Sequence, residues 1–183
     1  MEGCDGPANS KRLRFGIWRE GDFSLAHSIW GDPAVMKLTG GLCTMEAVAQ
    51  RLAMEVENLL HYRLQYWPVF ELDGGALIGC CGLRPRDLEA GIAEFGFQLC
   101  RRSWGQGFAT EAGNAVIDWA GRQGLSGLFA GHHPENLASR QALLRLGFFY
   151  THHEFYPPTD QIEPCYLLRF NESGARQSLS APM

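Results

Sequence analysis

A short glycine-containing segment in the middle of the chain constrains the fold more than any other feature: residues 104–112 read WGQGFATEA. The apolar, β-prone run before it, residues 90–99, predicts a strand, and the apolar residues after Gly107 recur at helical spacing as far as Arg122. A strand that passes through glycines directly into a helix leaves the first amides of that helix without partners inside it. Together with the helix dipole, such amides favour an anion such as a pyrophosphate.

Strand and helix patterns continue on both sides of this segment. Helical spacing of apolar residues predicts helices over 20–30, 44–62, 107–122 and 137–146. Apolar, β-prone runs predict strands over 13–18, 67–72, 76–83, 90–99, 125–131, 148–155 and 165–170. Asp73-Gly74-Gly75 predicts a hairpin turn between the second and third strands. This order of elements predicts an α/β (mixed α+β) fold, in which helices cover the faces of one mixed sheet.

The helix over 44–62 is predicted in more detail. Thr44 is a suitable N-cap, because its hydroxyl oxygen can accept a hydrogen bond from an amide of the first turn. The buried side of this helix is expected to carry Ala47, Val48, Leu52, Val56, Leu59 and Leu60.

The composition fits one soluble domain. At 183 residues, 45% of them hydrophobic and 20% charged, the chain is long enough for one sizeable core. Its formal net charge of −4 argues against a nucleic-acid partner. No apolar run reaches the ~18 residues that span a bilayer, and the first ten residues have no basic region before an apolar one. We expect a cytoplasmic protein without nucleic-acid or membrane partners, with one domain over 12–170 and tails at 1–11 and 171–183.

The six cysteines predict neither disulfides nor a metal site. They form no CxxC pair and no spacing typical of metal ligands, so we expect reduced thiols and no bound metal. Cys80 and Cys81 are neighbours in a predicted strand, where their side chains should face opposite sides of the sheet. Cys100 is expected to pack rather than to act as a nucleophile.

The segment at Trp104 resembles the coenzyme A pyrophosphate loop of the GNAT N-acetyltransferase superfamily, which reads Gln/Arg-x-x-Gly-x-Gly/Ala. It is most similar to the branch that includes the ribosomal-protein N-terminal acetyltransferases. In that register Trp104 replaces the Gln or Arg, while Gly107 and Ala109 are the two small residues. A register that begins at Arg102 also satisfies the formula, and the continuation Thr-Glu-Ala favours the first.

Three further stretches resemble the same family in the expected order. Asn136-Leu-Ala-Ser139 leads towards Leu-Gly147-Phe148, like the family's helix after the loop. Residues 93–97 resemble the strand before the loop, and residues 12–15 resemble the opening strand. The resemblance therefore covers roughly residues 11–170, and it implies a single-domain GNAT fold with a mixed, mostly antiparallel central sheet.

The resemblance implies an acetyl-CoA-dependent N-acetyltransferase. Acetyl-CoA would be the acyl donor, and the partner would be a primary amine, either a protein N-terminal α-amine or a small molecule, which attacks directly in a ternary complex. The protein would be a monomer or a homodimer. The positions that match cofactor-binding residues are Gln98, Leu99, Cys100, Trp104, Gly105, Gln106, Gly107, Phe108, Ala109, Thr110, Asn136 and Arg140.

Two residues are the leading candidates for proton transfer. An ammonium must lose its proton before it attacks, and Glu94 is our first candidate for the base, ahead of His132 and His133. The leaving thiolate must gain a proton. Many relatives use a Tyr where this chain has Leu143, so Ser139 is our replacement candidate. Structural roles for these side chains, such as helix capping for Ser139, remain alternatives.

Other functions compete with this interpretation. The acceptor could be a polyamine, an amino sugar, an amino acid or an antibiotic rather than a protein. A non-catalytic acyl-CoA binding module is a second alternative, because the usual Tyr is missing. A nucleotide-binding regulator is disfavoured, because no Gly-Lys-Ser/Thr follows the loop and Thr110 stands where the third Gly of GxGxxG belongs.

Overall fold

A computed structural model of the protein describes residues 6–41 and 44–177. The strands in these residues are β1 (Leu13–Phe15), β2 (Tyr66–Glu71), β3 (Leu77–Asp87), β4 (Ile92–Leu99), β5 (Gly127–Gly131), β6 (Phe149–Tyr156) and β7 (Gln161–Arg169). The helices are α1 (Phe23–Trp30), α2 (Pro33–Met36), α3 (Met45–Tyr62), α4 (Phe108–Arg122) and α5 (Leu137–Leu146), with a short 3-10 helix at Arg101–Ser103.

All seven strands form one sheet in the order β1-β2-β3-β4-β5-β7-β6. Neighbouring strands are antiparallel except for β4 and β5, which are parallel. The parallel pair is connected through α4, because a crossover between parallel strands needs a dozen or more residues. The predicted α/β fold, with a mixed and mostly antiparallel sheet, is confirmed.

The sheet separates two apolar clusters. One lies between the sheet and α4 and α5, where Trp67 packs edge-to-face on Trp119 with their ring centroids 4.9 Å apart. The other lies under α1, α2 and α3 and contains Trp18 and Trp30. Cys81 belongs to the first cluster and its neighbour Cys80 to the second, as predicted for consecutive residues of a strand.

The predicted elements are present, and several of them differ from the prediction in detail. The short helix α2 was not predicted. It begins where the Asp32 side chain accepts a hydrogen bond from Ala34 N at 2.9 Å. The first strand ends at residue 15, and β7 begins at residue 161, four residues before the prediction, because its first four residues pair with the end of β6. On α3, Thr44 is the N-cap as predicted, but Leu60 is exposed and Glu55 is buried.

Both described ends of the chain contact α4. Ser10 Oγ donates a hydrogen bond to the Glu111 carboxylate at 2.7 Å, and Arg176 pairs with Asp118 at 2.9 Å. Among residues 6–41 and 44–177, no helix combines the length and the apolar character needed to cross a membrane. Cys4 and Cys43 lie outside these residues, and the remaining cysteines are free thiols.

Candidate active site

The parallel strands β4 and β5 pair over only three residues each, Ile92–Glu94 with Gly127–Phe129. Beyond this point the strands part, and the gap between them continues into a cleft of about 380 Å³. Side chains from α2, α3, β3, β6 and the start of α5 complete the walls of the cleft. The sheet therefore opens beside the loop that the sequence singled out.

The hydrogen-bonding register of β4 leaves backbone groups free along this gap. Cys100 N donates to Ile78 O at 2.8 Å, and in an antiparallel pair hydrogen-bonded residues alternate with non-bonded ones. The backbone groups of Glu94 and of every second residue after it therefore point to β3. Those of Phe97 and Leu99 point into the gap. Sequence reasoning named Leu99 but not Phe97, because the alternation is set by the pairing with β3.

The loop after β4 keeps its own amides free as well. Gly105 and Gly107 have φ of 73° and 78°, values that side chains other than glycine rarely adopt. Gly107 is the N-cap of α4 and offers no side-chain cap, whereas Thr44 and Asn136 cap α3 and α5. Within the described residues, the amides of Phe108, Ala109 and Thr110 have no acceptor. These three residues were predicted to bind the pyrophosphate, and their free amides can hold such an anion.

Two side chains brace this loop. Trp104 is half exposed, and its indole Nε1 donates to Leu99 O at 2.8 Å, so it ties the loop to the end of β4. Gln106 Nε2 donates to Arg102 O at 2.7 Å. Both were predicted as cofactor-binding residues, and in this structure their polar groups position the loop.

The start of α5 lies on the opposite wall of the cleft. Asn136 Oδ1 accepts a hydrogen bond from Ser139 N at 3.0 Å, which makes Asn136 the N-cap of α5. Ser139 and Leu143 line the cleft with it. In the part of the chain that the structure describes, the Ser139 hydroxyl has no hydrogen-bond partner. Arg140 follows on the exposed surface of α5.

Glu94 lies on the cleft face of β4 with about a third of its side chain exposed (34%). Its carboxylate is 4.0 Å from Arg86 Nη1. Arg86 makes its closer ion pair with Glu154, at 2.9 Å, and lies 3.5 Å above the centre of the Phe129 ring. Glu94 is therefore free to accept a further hydrogen bond from a bound molecule.

The two histidines differ in their surroundings. His132 is buried, and burial is the main reason why its pKa lies below the ordinary value. Its Nδ1 is 2.8 Å from His133 O, its Nε2 is 3.4 Å from the Tyr166 hydroxyl, and its ring stacks on Tyr166. His133 Nδ1 accepts a hydrogen bond from Glu135 N at 3.2 Å. The contacts of His132 are those of a neutral structural residue.

The predicted residues Gln98 and Cys100 turn their side chains away from the gap. Gln98 Oε1 accepts a hydrogen bond from Trp30 Nε1 at 2.8 Å, and Arg51 Nη2 lies 3.5 Å from the same oxygen. Cys100 packs in the cluster under α1 and α3, as expected, and burial raises the pKa of its thiol. Gln98 lines the cleft, whereas the backbone groups of Phe97 and the amide of Leu99 face the gap.

Sequence reasoning missed a charged network at the base of the cleft, centred on Glu55. Its carboxylate is fully buried and accepts hydrogen bonds from Arg51 Nε at 3.0 Å, Arg84 Nη2 at 2.6 Å and Tyr66 N at 2.8 Å. Removing one partner of a buried pair of this kind typically costs ~3–5 kcal/mol of stability. The available signal was the position of Glu55, which follows Val48 and Leu52 on the apolar stripe of α3.

A second missed group lies at the mouth of the cleft. The ligand atoms of His152, Glu154 and Cys165 lie within 4.8 Å of one another, a spacing that could hold a metal ion. Glu154 is already paired with Arg86, and burial raises the pKa of the Cys165 thiol to about 11. This group therefore presents one engaged carboxylate and one protonated thiol, a poor donor set for a metal.

A family model described as the acetyltransferase (GNAT) domain matches residues 12–149. The chain is 32% identical over 122 residues to the uncharacterized N-acetyltransferase p20 of Bacillus licheniformis, a match that covers 65% of this chain and 68% of that protein.

Two solved structures share the fold. One is spermidine N-acetyltransferase from Vibrio cholerae in complex with CoA and spermine, with a TM-score of 0.71, 18% identity, and 86% of this chain and 95% of that chain covered. The other is the ribosomal L7/L12 α-N-protein acetyltransferase RimL in complex with coenzyme A, with a TM-score of 0.73, 16% identity, and 90% and 97% covered. Since one name refers to a polyamine and the other to a protein, the common fold does not identify an acceptor.

Proposed function

The chain belongs to the GNAT acetyltransferase family and is an N-acetyltransferase, and we propose that it transfers an acetyl group from acetyl-CoA to a primary amine by direct attack in a ternary complex. The acceptor is the α-amine of a protein N-terminus or a small-molecule amine. One observation carries the proposal: the free backbone groups of β4 lead directly to the uncapped N-terminus of α4.

The residues along this path fit the donor. Acetyl-CoA supplies the reaction with an acetyl group activated as a thioester. The amides of residues 105–110 hold its pyrophosphate, and its peptide-like arm pairs with the backbone groups of Phe97 and with the amide of Leu99, which face the gap. A backbone N–H that faces the gap can also stabilise negative charge on a carbonyl oxygen. We assign this role to Phe97 N, the first of the two free amides.

Proton transfer is assigned to the two walls of the cleft. Glu94, whose carboxylate faces the cleft, accepts the proton from the acceptor ammonium directly or through a water molecule. Ser139 lies on the opposite wall, and its hydroxyl is available to donate a proton to the leaving thiolate. Since a thiol has an ordinary pKa of ~8.5, this donor does not need a strongly shifted pKa. Asn136 holds Ser139 in place by capping the same turn.

A screen of amines tests this proposal. The purified protein is incubated with acetyl-CoA and a panel of small amines and N-terminal peptides, and free thiol is measured. Binding of acetyl-CoA is followed separately by the change in Tm, because a ligand that binds only the folded state stabilises it. We expect thiol release with at least one amine. Binding without any thiol release would instead indicate the non-catalytic acyl-CoA module, and absence of both would refute the proposal.

A further inference from the structure

A charged group of two arginines and one glutamate lies at the base of the cleft. Arg51 and Arg84, here called the arginine pair, both donate to the same oxygen of Glu55, at 3.0 and 2.6 Å. The other oxygen of Glu55 accepts the amide of Tyr66. Two guanidinium groups therefore share one carboxylate, so the group formed by Arg51, Arg84 and Glu55 carries a net charge of about +1.

The arginine pair retains donors that can reach a bound molecule. Both arginines line the cleft, with 19% and 20% of their side chains exposed. Among the contacts of the described residues, neither Arg51 Nη1 nor Arg84 Nη1 has a hydrogen-bond acceptor. Guanidinium groups with free donors in a partly buried cleft are suited to a carboxylate, which they can bind through two parallel hydrogen bonds.

An aromatic ring fixes the geometry of the pair. The Tyr66 ring has Arg84 Cζ 4.7 Å and Arg51 Cζ 5.3 Å from its centre, and Arg51 also lies 5.0 Å from the centre of a Trp30 ring. Such cation–π contacts hold the guanidinium groups in place before a ligand binds. A preorganised site loses less conformational freedom on binding.

The Tyr66 hydroxyl reaches the same part of the cleft. A Cβ on Gly96 would collide with this hydroxyl. Gly96 pairs with Gly82 of β3, and a Cβ on Gly82 would collide with the backbone of residues 65 and 66. Gly96 thus leaves the space that the Tyr66 hydroxyl fills, and Gly82 leaves space for the backbone at the start of β2. Because burial raises the pKa of Tyr66 well above its ordinary value, the phenol stays protonated and can donate a hydrogen bond to an anion.

The candidate base lies beside this positive region. Glu94 is paired with Arg84 in the register of β3 and β4, so their side chains are neighbours on one face of the sheet. One acceptor molecule can therefore place an amine at Glu94 and an anionic group at the arginine pair. A polyamine would bring a second cation against two guanidinium groups instead, and like charges in contact oppose binding.

We propose that the acceptor is an amine that carries a carboxylate a few bonds from its nitrogen, with the carboxylate bound by Arg51, Arg84 and the Tyr66 hydroxyl. The inference rests on the proposed acetyltransferase function and narrows its substrate class. The carboxylate has two possible sources: the α-carboxylate of a free amino acid, or the side chain of an acidic residue at a peptide N-terminus.

Matched pairs of acceptors test this inference and separate the two sources. Free amino acids are compared with their α-amides, and peptides that begin with Asp or Glu are compared with peptides that begin with Asn or Gln. Values of kcat/KM are measured by thiol release and corrected for the fraction of neutral amine at the assay pH. We expect a preference of ~10–100-fold for the carboxylate in one of the two comparisons, the range expected for charge-assisted hydrogen bonds.

A variant links the preference to the arginine pair. Arg51→Met removes one guanidinium and leaves Glu55 bound to Arg84 and the Tyr66 amide, so the network at the base of the cleft keeps most of its contacts. We expect the ratio of kcat/KM between acid and amide to fall by about tenfold or more. The matched control is Arg19→Met, since Arg19 is exposed and does not line the cleft, and it should keep the wild-type ratio.

The outcomes separate this inference from the proposed function. Equal kcat/KM for acid and amide in both comparisons, in a protein that acetylates other amines, would overturn the inference and leave the proposed function intact. A preference for carboxylates that Arg51→Met does not reduce would also overturn it. Failure to release thiol with every amine would overturn both. If Arg51→Met does not fold, equal kcat/KM for acid and amide in the wild-type protein still overturns the inference.

Discussion

Replacing Gly107 with valine should remove most of the rise in Tm that acetyl-CoA produces, without unfolding the protein. Gly107 is the N-cap of α4 at φ 78°, and an added Cβ would find only Arg12 Nη2 nearby, at 3.8 Å. A side chain there is strained by its backbone conformation rather than by a clash, at a cost of ~1–2 kcal/mol. For a chain of this length that lowers Tm by ~2–8 °C. The branched side chain would, however, lie beside the free amides of residues 108–110, which we propose to hold the pyrophosphate.

The size of the effect on binding follows from mass action. Acetyl-CoA at about 100 times its Kd stabilises the folded state by ~2.7 kcal/mol, which raises Tm by ~5–11 °C. If Gly107→Val weakens binding about 100-fold, the same concentration contributes only ~0.4 kcal/mol, or ~1 °C. The assay is a thermal melt with and without acetyl-CoA at several concentrations.

Gly74→Val is the matched control for this experiment. Gly74 has φ 81° in the turn between β2 and β3, and an added Cβ meets nothing within 4 Å. Valine there is strained to a similar extent, so the melting temperature without ligand should fall by a similar amount while the acetyl-CoA shift persists. A wild-type shift in Gly107→Val would refute the assignment of the loop, and so would an equal loss of the shift in both variants.

Three further substitutions test the assigned roles, and a fourth tests the effect of a buried carboxyl on stability. Ser139→Ala should lower kcat by up to ~10²–10⁴-fold with little change in the Tm shift that acetyl-CoA produces. Asn136→Ala should mainly reduce that Tm shift. If Ser139→Ala keeps the full kcat while the chemical step is rate-limiting, another group protonates the leaving thiolate. Glu94→Gln should slow the reaction and flatten the fall in activity at acidic pH. If the fall in activity instead follows the pKa of the acceptor amine and is unchanged in Glu94→Gln, the enzyme selects neutral amine and Glu94 is not the base. Glu163 is buried, and mainly for that reason the pKa of its carboxyl is raised. Its ionised form therefore costs stability at neutral pH, and that cost disappears as pH falls from the raised folded pKa to the ordinary value of ~4.3. Glu163→Gln should raise Tm at neutral pH and lose this advantage below about pH 4. Thermal melts across the pH range measure this difference, and a lower Tm of the variant at neutral pH would contradict the prediction.

The local sequence determined the loop and the helix ends. Gly105 and Gly107 adopt the positive φ that glycine permits, Thr44 caps α3, and Gly147 ends α5 at φ 93°. Each of these features depends on the chemistry of a few consecutive residues, so the sequence alone is sufficient to predict it. The resemblance to the GNAT family rested on such local motifs, and the family is confirmed.

The faces of β4 were also predictable from the sequence. Period-two alternation placed Glu94 and Gln98 on one face and Phe95 on the other, and Phe95 does pack under α4 and α5 while Glu94 lines the cleft. Alternation does not reveal which backbone groups remain unpaired. That depends on the register with β3, which leaves Phe97 rather than Gln98 facing the gap.

Only the tertiary structure decided the contents of the cleft. The gap exists because β4 and β5 stop pairing after Glu94 and Phe129, residues 35 positions apart in the chain. The charged network brings Glu55 of α3 against Arg84 of β3, and no local pattern pairs a helix residue with a strand residue 29 positions later. Leu60, predicted to be buried, is exposed because Val48, Leu52 and Glu55 define the face of α3 that meets the sheet. Long-range pairing thus decided which charges share the cleft, because side-chain contacts between distant elements depend on packing and not on sequence spacing.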